Sequence, residues 1–333
     1  KVMEAISRRQ RLLVDEPLVA DHYRALRKLY ARTKQYDRAW MACRSLAYLG
    51  HADEEESSFL AARMSQGYDM PSQRMTGDVW RLVRDPDEDV HVTAIFRMVA
   101  EAAALMNAVP QKTLGLDERV AGTSEFRNLV KAVSEVLDVA GPETFVHPGS
   151  AGEILWANAR RGRALARTIA IGRDLCDRRD PRYLVASITK SLVYSRPEYF
   201  LRMAAANPQE LEAIFLAASS LSRQDVPVPA TQVGRVGTYR KHFDALLPGS
   251  LRRALAVAVD RYVAAGKAYD LVEWCRRVDS TARRAALLVA GDLELATAVG
   301  GGQVGEVEMA SLLRHSVSDA HHAGRVHLGL AKD

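Results

Sequence analysis

Helical spacing of apolar residues runs through most of this chain and is interrupted by one β-rich stretch. Within residues 1–66, apolar side chains recur every three or four positions, for example at Leu26, Leu29 and Tyr30. The same spacing returns in residues 88–106 and 123–139. With 333 residues, of which 48% are hydrophobic, the chain is long enough for about two domains with substantial cores.

The β-rich stretch covers residues 144–171. Its runs TFVHPGS, EILWANA and ALARTIAIG are separated by glycine- and arginine-containing turns, which predicts a small antiparallel sheet of about three strands. We expect Ile169 and Ile171 to face the same side of that sheet. Helical segments follow, with a long polar loop expected at 220–238. The order of helices, small sheet and helices predicts a predominantly helical α+β fold.

Glycine and proline residues divide the chain into two predicted regions. Residues 67–78, with Gly67, Pro71 and Gly77, are typical of a linker. This divides the sequence into a helical region, 1–70, and a helical and small-sheet region, 79–330. A second, flexible break is expected at Gly300–Gly302.

Composition excludes several classes of protein. No apolar run approaches the roughly 20 residues that cross a bilayer, and Arg8, Arg9 and Arg11 interrupt any signal-peptide core. Three cysteines without paired spacing argue against a disulfide framework and for a reducing compartment. We therefore expect a cytoplasmic location. Because the sequence starts at Lys1 without a methionine, it is expected to be part of a longer chain.

The segment YRALRKLYARTKQYDRAWMACRSLAYLG resembles a tetratricopeptide repeat, or TPR, a helix–turn–helix unit of 34 residues. Tyr23 takes the first aromatic position, and Ala39 is the small residue that lets the two helices approach closely. Two residues depart from the pattern, since Arg27 replaces a small residue and His51 replaces a terminal proline. One such unit cannot bury its own face, so flanking helices are expected to stack on it.

A second resemblance covers roughly residues 120–300. A short sheet precedes RTIAIGRDLCDRRDPRYLVASITKSLVYSRPEYF, and VDSTARRAALLVAGDLELA comes about 85 residues after the first helix. The succession resembles a gluzincin-type zinc metallopeptidase, closest to the CAAX-prenyl-protease-like branch. The resemblance implies that residues 184–194 form the helix that carries HExxH in that family. It also implies that a later helix brings an acidic third ligand.

The catalytic residues of that family are absent at the matching positions. The HExxH positions carry Lys190, Ser191 and Tyr194, the third ligand becomes Asp279, and the following acid becomes Arg283. A lysine ammonium has no lone pair to offer a metal, and a serine cannot act as general base near neutral pH. We call these five residues the pseudo-site and expect no catalytic residue, metal or cofactor there. A Lys190–Asp279 ion pair between the two helices is expected instead.

Positive charge is concentrated at the start of the chain. Residues 1–48 hold eleven Lys and Arg against five acids, whereas the whole chain carries +5. Arg24, Arg27 and Lys28 share one helical face, so they are the candidate partner-binding residues. A solvated face, or one that docks an acidic protein, fits better than nucleic acid because no nucleic-acid-binding motif accompanies the charges.

Histidines cluster near the end of the sequence, as they would in a metal site. Four of them lie within thirteen residues, and a helix would bring His315 and His322 to one side. No carboxylate or cysteine stands at ligand spacing with them, so surface and cap positions are expected instead. The chain also lacks HExxH, paired CxxC, P-loop and GxSxG motifs.

These observations lead to one main hypothesis and two alternatives. The main hypothesis is a non-catalytic interaction or scaffold protein, with TPR-like helices that dock another protein and a pseudo-metallopeptidase domain. The first alternative is an active hydrolase, a zinc peptidase whose site is misaligned. The second is a binder of nucleic acid or of an acidic protein through the basic N-terminal helices.

Overall fold

The computed structural model describes residues 1–64, 68–116, 124–147, 154–176, 180–299 and 304–332. It is predominantly helical and contains a small mixed sheet of four strands. None of the helices in these ranges is long and apolar enough to cross a membrane. The expected break at Gly300–Gly302 lies outside the described residues.

The chain begins with four helices, α1 (Val2–Asp15), α2 (Ala20–Arg32), α3 (Tyr36–Tyr48) and α4 (Glu54–Met64). Helices α2 and α3 pack against each other across a turn of three residues, in which Lys34 adopts a left-handed φ of 60°. Ala39 on α3 is fully buried, as are Tyr23, Leu26 and Tyr30 on α2. The predicted helical hairpin is therefore present, with its small residue in the core.

The central part alternates helices with the sheet strands. This part contains helices α5 (Gly77–Val83), α6 (Val90–Asn107) and α7 (Ser124–Leu137). Strand β1 (Val109–Pro110) and a short 3₁₀ turn at Gln111–Leu114 lie between α6 and α7. The side chain of Asp89 caps α6 by accepting from the backbone N–H groups of His91 and Val92. Strands β2 (Glu143–Val146), β3 (Ile154–Arg161) and β4 (Ala164–Ile171) complete the sheet.

The expectation of a purely antiparallel sheet is wrong. The strand order is β1-β3-β4-β2, and only the β3–β4 hairpin is antiparallel. Strand β2 runs parallel to β4, with Glu143 opposite Thr168, and β1 runs parallel to β3. The chain reverses direction before β3 and again before β4, so β2 and β4 point the same way, and the strand order makes them neighbours. Ile169 and Ile171 face the same side, as predicted, and are fully buried there.

Most of the described residues after the sheet are helical. The helices are α8 (Arg173–Cys176), α9 (Pro181–Val193), α10 (Leu201–Ala204), α11 (Pro208–Ser222), α12 (Val233–Leu246), α13 (Gly249–Ala264), α14 (Leu271–Ala290), α15 (Leu293–Ala298), α16 (Glu306–Ser316) and α17 (Asp319–His327). The loop expected at 220–238 is shorter than predicted, because α12 begins at Val233. Gly234 and Gly237, which suggested a loop, lie inside that helix.

Two hydrophobic clusters account for most of the core. The larger surrounds α6, α11 and α14 and includes the edge-to-face pair of Phe96 and Trp274. The second is built on α1 to α4 but also contains Leu287 of α14 and Leu313 of α16. The N-terminal helices thus share one apolar cluster with helices from the far end of the chain. The expected linker also packs, since the backbone N–H of Met75 donates to the carbonyl of Val136.

Candidate functional site

The two helices that carry the pseudo-site lie side by side. Helix α9 begins after Asp180, whose side chain caps its first turn, and has Pro181 at the position where the missing N–H costs nothing. Helix α14 begins after Asp270, which caps it in the same way, and ends at Gly291 with a left-handed φ of 66°. Apolar residues on both helices pack into the larger cluster. This packing fixes the positions of the polar residues that the two helices carry beside their apolar faces.

All five residues of the pseudo-site line one cleft of about 250 Å³. The remaining walls come from strand β3, from α8 and from α10, with Trp156, Leu175 and Arg202 among the lining residues. The indole Nε1 of Trp156 donates to the carbonyl of Ser191 at 3.0 Å and so ties the sheet to α9. The five pseudo-site residues, which come from two helices far apart in the sequence, therefore lie close together in space.

Asp279 is held by two donors. The hydroxyl of Tyr194 donates to Oδ1 at 2.7 Å, and Arg202 donates through Nε to Oδ1 at 3.1 Å and through Nη2 to Oδ2 at 2.9 Å. Both carboxylate oxygens are thus engaged, in the two-point geometry that suits a guanidinium group. We refer to Tyr194, Arg202 and Asp279 as the Asp279 triad.

The protonation states in this triad follow from burial and charge. Burial, reinforced by the adjacent Asp279 carboxylate, raises the pKa of Tyr194 well above its usual value, so the phenol stays a donor. Burial lowers the pKa of Arg202, but its hydrogen bonds and charge pairing with Asp279 outweigh that and raise it overall. The carboxylate of Asp279 is therefore paired with the charge of Arg202, and its hydrogen bonds are fixed by Arg202 and Tyr194.

The other members of the pseudo-site make different contacts from those expected. The ammonium of Lys190 donates to the carbonyl of Val299 at 2.6 Å, and the ion pair of Asp279 is with Arg202 rather than with Lys190. Arg283 pairs with Glu308 at 3.6 Å, and its buried Nε and Nη1 have no hydrogen-bond partner within the described ranges.

The candidate partner-binding residues are largely engaged within the chain. Arg24 and Arg27 both pair with the buried Glu56, at 3.3 and 3.4 Å, and Arg27 also reaches Glu55 at 3.0 Å. Glu56 in turn closes a reciprocal cap with Asp53 at the start of α4. Lys28 is exposed. The acidic counterpart of two of these three cations is therefore the first turn of α4.

The C-terminal histidines do not form the arrangement that a metal needs. His315 stacks edge-on against His321 with ring centroids 5.2 Å apart, whereas His322 lies 3.6 Å from Asp37. His327 contacts the carbonyl of Arg74 at 3.1 Å. In the part of the chain that the structure describes, no group of three or more histidine, cysteine or carboxylate side chains is placed to hold a metal ion.

One buried titratable group was not expected from the sequence. Glu88, at the turn between α5 and α6, accepts from Thr93 at 2.8 Å and from the hydroxyl of Tyr199 at 3.0 Å. Burial raises its pKa. Because Thr281 of α14 also donates to it at 3.3 Å, the group links α6 and α14 from inside the core. The hydrogen-bond donors to Glu88 are the hydroxyls of Thr93, Tyr199 and Thr281, and no sequence motif predicts such a group.

Comparison with models of protein families, with curated proteins and with solved structures finds no match to this chain. The resemblances to TPR proteins and to zinc metallopeptidases therefore rest on the residues quoted above.

Proposed function

We propose that this protein is a non-catalytic interaction or scaffold protein, in which a domain like a degenerate metallopeptidase supports N-terminal helices that dock a protein partner. The observation that carries the proposal is the Asp279 triad. The position that corresponds to the third zinc ligand is occupied by a carboxylate whose two oxygens already bind Arg202 and Tyr194. A cation there would compete with an arginine for the same oxygens.

The other pseudo-site positions support the same proposal. A peptidase of the gluzincin kind needs two neutral imidazoles as ligands and a carboxylate that takes a proton from the metal-bound water. Lys190 supplies an ammonium, and Tyr194 supplies a phenol that burial keeps protonated. Neither group can replace an imidazole as a ligand at neutral pH.

The surface proposed for the partner is the exposed face of α1. Met3, Ser7, Arg11 and Val14 recur at helical spacing on that face, and all four are exposed. Met3 exposes 60% of its surface and Val14 59%, so this face offers apolar surface at both ends of the helix. Arg8 and Arg11 are exposed beside this face, as are Glu4 and Asp15, so the proposed partner presents an apolar surface flanked by charges of both signs.

The experiment compares partner capture by the wild-type protein with capture by Met3→Asp/Arg11→Glu. The matched control is Val257→Asp/Arg253→Glu, which changes an exposed apolar residue and an exposed arginine on α13 in the same way. We expect one protein to be captured by the wild type and the control and lost by the α1 variant, with melting temperatures unchanged.

Three results would contradict the proposal. Retention of the same protein by the α1 variant would remove the docking surface. Stoichiometric zinc with peptide hydrolysis would favour the active hydrolase. Salt-sensitive binding of nucleic acid that is lost in the α1 variant would favour the second alternative.

A further inference from the structure

A second cleft, of about 680 Å³, lies between α1, the turn that follows α5, and the C-terminal helices α16 and α17. Its apolar lining residues are Leu13, Val14, Leu82, Val90 and Val317. Its cationic lining residues include Arg84, Arg284 and Arg314. A lining that combines apolar side chains with a group of cations suits an organic anion.

Arg284 is a buried member of this group of cations. Its Nη1 donates to the carbonyl of Arg84 at 3.2 Å and its Nη2 to the hydroxyl of Ser311 at 2.9 Å. The carboxylate of Asp85 lies 3.3 Å from the same Nη2. These bonds fix the guanidinium in place, as a preformed binding site requires.

Arg314 stands beside it without a counterion. It is half-buried, and within the described ranges it makes no hydrogen bond or ion pair. Burial lowers the pKa of Arg284, and repulsion from Arg314 adds to this despite the attraction of Asp85. Buried His315, whose Nε2 lacks a partner among the described residues, also lies at this end of the cleft.

The carboxylates that line the cleft are paired with cations other than Arg314. Asp85 accepts from the hydroxyl of Ser280 at 2.6 Å and lies 3.5 Å from Arg277. Asp87 pairs with Arg277 at 3.1 Å. Asp319 pairs with Arg38 at 2.5 Å. None of these pairs involves Arg314, so its charge is left for a ligand.

We propose that this cleft binds a small organic phosphate, with the phosphate against Arg314, beside the Arg284–Asp85 pair, and the organic part against the apolar lining residues. The guanidinium group of Arg314 matches the oxygen geometry of phosphate. The cleft is several times larger than a phosphate ion, which leaves room for the organic part.

The test is calorimetric titration of the full chain with phenyl phosphate at fixed ionic strength, with phenol and inorganic phosphate as comparison ligands. We expect saturable binding of phenyl phosphate, weaker binding of inorganic phosphate and none of phenol. Arg314→Gln should weaken phenyl phosphate binding by about 10- to 100-fold, the loss typical of one charge-assisted hydrogen bond. The control Arg253→Gln removes an exposed arginine on α13 and should leave the affinity unchanged.

Three outcomes would overturn the proposal. The first is no saturable binding of phenyl phosphate up to about 10 mM. The second is an affinity unchanged by Arg314→Gln in a variant that melts at the wild-type temperature. The third is equal affinity for benzoate, since a site that takes carboxylate as well as phosphate has not selected the phosphate group.

Discussion

Arg202 and Asp279 form a two-point ion pair, with Nε of the arginine 3.1 Å from Oδ1 and Nη2 2.9 Å from Oδ2. The pair joins the single-turn helix α10 to the long helix α14. Tyr194, at the end of α9, donates to the same carboxylate. Helices α9, α10 and α14 are therefore connected through the carboxylate of Asp279. The contribution of this connection to stability can be measured.

Asp279→Asn tests that role. The substitution keeps the shape of the side chain but removes its charge, so we expect a loss of about 1–3 kcal/mol of unfolding free energy. Chemical denaturation monitored by circular dichroism measures it. Asp225→Asn is the matched control, because Asp225 makes the same two-point pair with Arg223 in an exposed loop. An equally small effect of both substitutions would show that the triad contributes no more than a surface pair.

Asp37→Asn tests the connection between the N-terminal helices and the end of the chain. Asp37 on α3 is fully buried and accepts two hydrogen bonds from Arg325 on α17, at 2.8 and 2.9 Å, and one from Arg63 at 2.6 Å. Removing its charge leaves the buried Arg325 without compensation, so we expect a loss of about 3–5 kcal/mol.

The control for this substitution is Asp21→Asn, in an exposed pair with Arg24, which should cost about 0.5 kcal/mol or less. The measurement is the midpoint of urea unfolding. If the two variants unfold at the same midpoint, the Asp37–Arg325 pair does not hold α3 to α17.

The buried histidine pair predicts a loss of stability in acid. Burial, with the charge of Arg325, lowers the pKa of His321 to about 3, and burial with Arg284 lowers that of His315 well below its usual value. Both rings are neutral in the folded state but accept a proton in the unfolded chain below about pH 6.5. Stability is therefore complete above that pH and falls as the pH drops toward 3.

The expected size is about 1.4 kcal/mol for each histidine at one pH unit below 6.5. His321→Leu removes one of the two titrating groups and should flatten the decline in melting temperature between pH 6.5 and 5. His51→Leu, at an exposed position, is the control and should follow the wild-type curve. A wild-type melting temperature that does not change over this range would contradict the burial of neutral rings.

Ala39→Leu tests the close approach of α2 and α3. Ala39 is fully buried, and three additional carbon atoms at that position would overpack the hairpin, at a cost of about 1–3 kcal/mol. Ala61→Leu places the same side chain at an exposed position on α4 and should be nearly neutral. Equal melting temperatures for the two variants would mean that the hairpin is not packed through Ala39.

The sequence predicted the features that depend on local periodicity. Apolar spacing located the helical hairpin around Ala39, and strand alternation placed Ile169 and Ile171 on one buried face. The parallel pairing of β2 with β4 was missed, because alternation defines the faces of a strand but not its neighbour. The start of α12 was missed because Gly234 and Gly237 suggested a loop.

The candidate site was expected from a resemblance and not from local periodicity alone. The resemblance to a zinc metallopeptidase implied that Lys190, Tyr194 and Asp279 approach one another, and all three line one cleft. The partner of Asp279 was not predicted, since Arg202 lies 77 residues before it on a helix of a single turn. Long-range pairs such as Arg202–Asp279 and Arg325–Asp37 depend on packing that no local pattern encodes.

The central claim is that the Asp279 triad stands where a metallopeptidase would hold zinc. The most direct measurement is the zinc content of the purified protein, by elemental analysis after incubation with zinc and removal of unbound ions, with the melting temperature recorded before and after treatment with a chelator. The account predicts far less than one zinc per chain and an unchanged melting temperature, because no metal contributes to the folded state. About one zinc per chain, lost to the chelator together with stability, would contradict it.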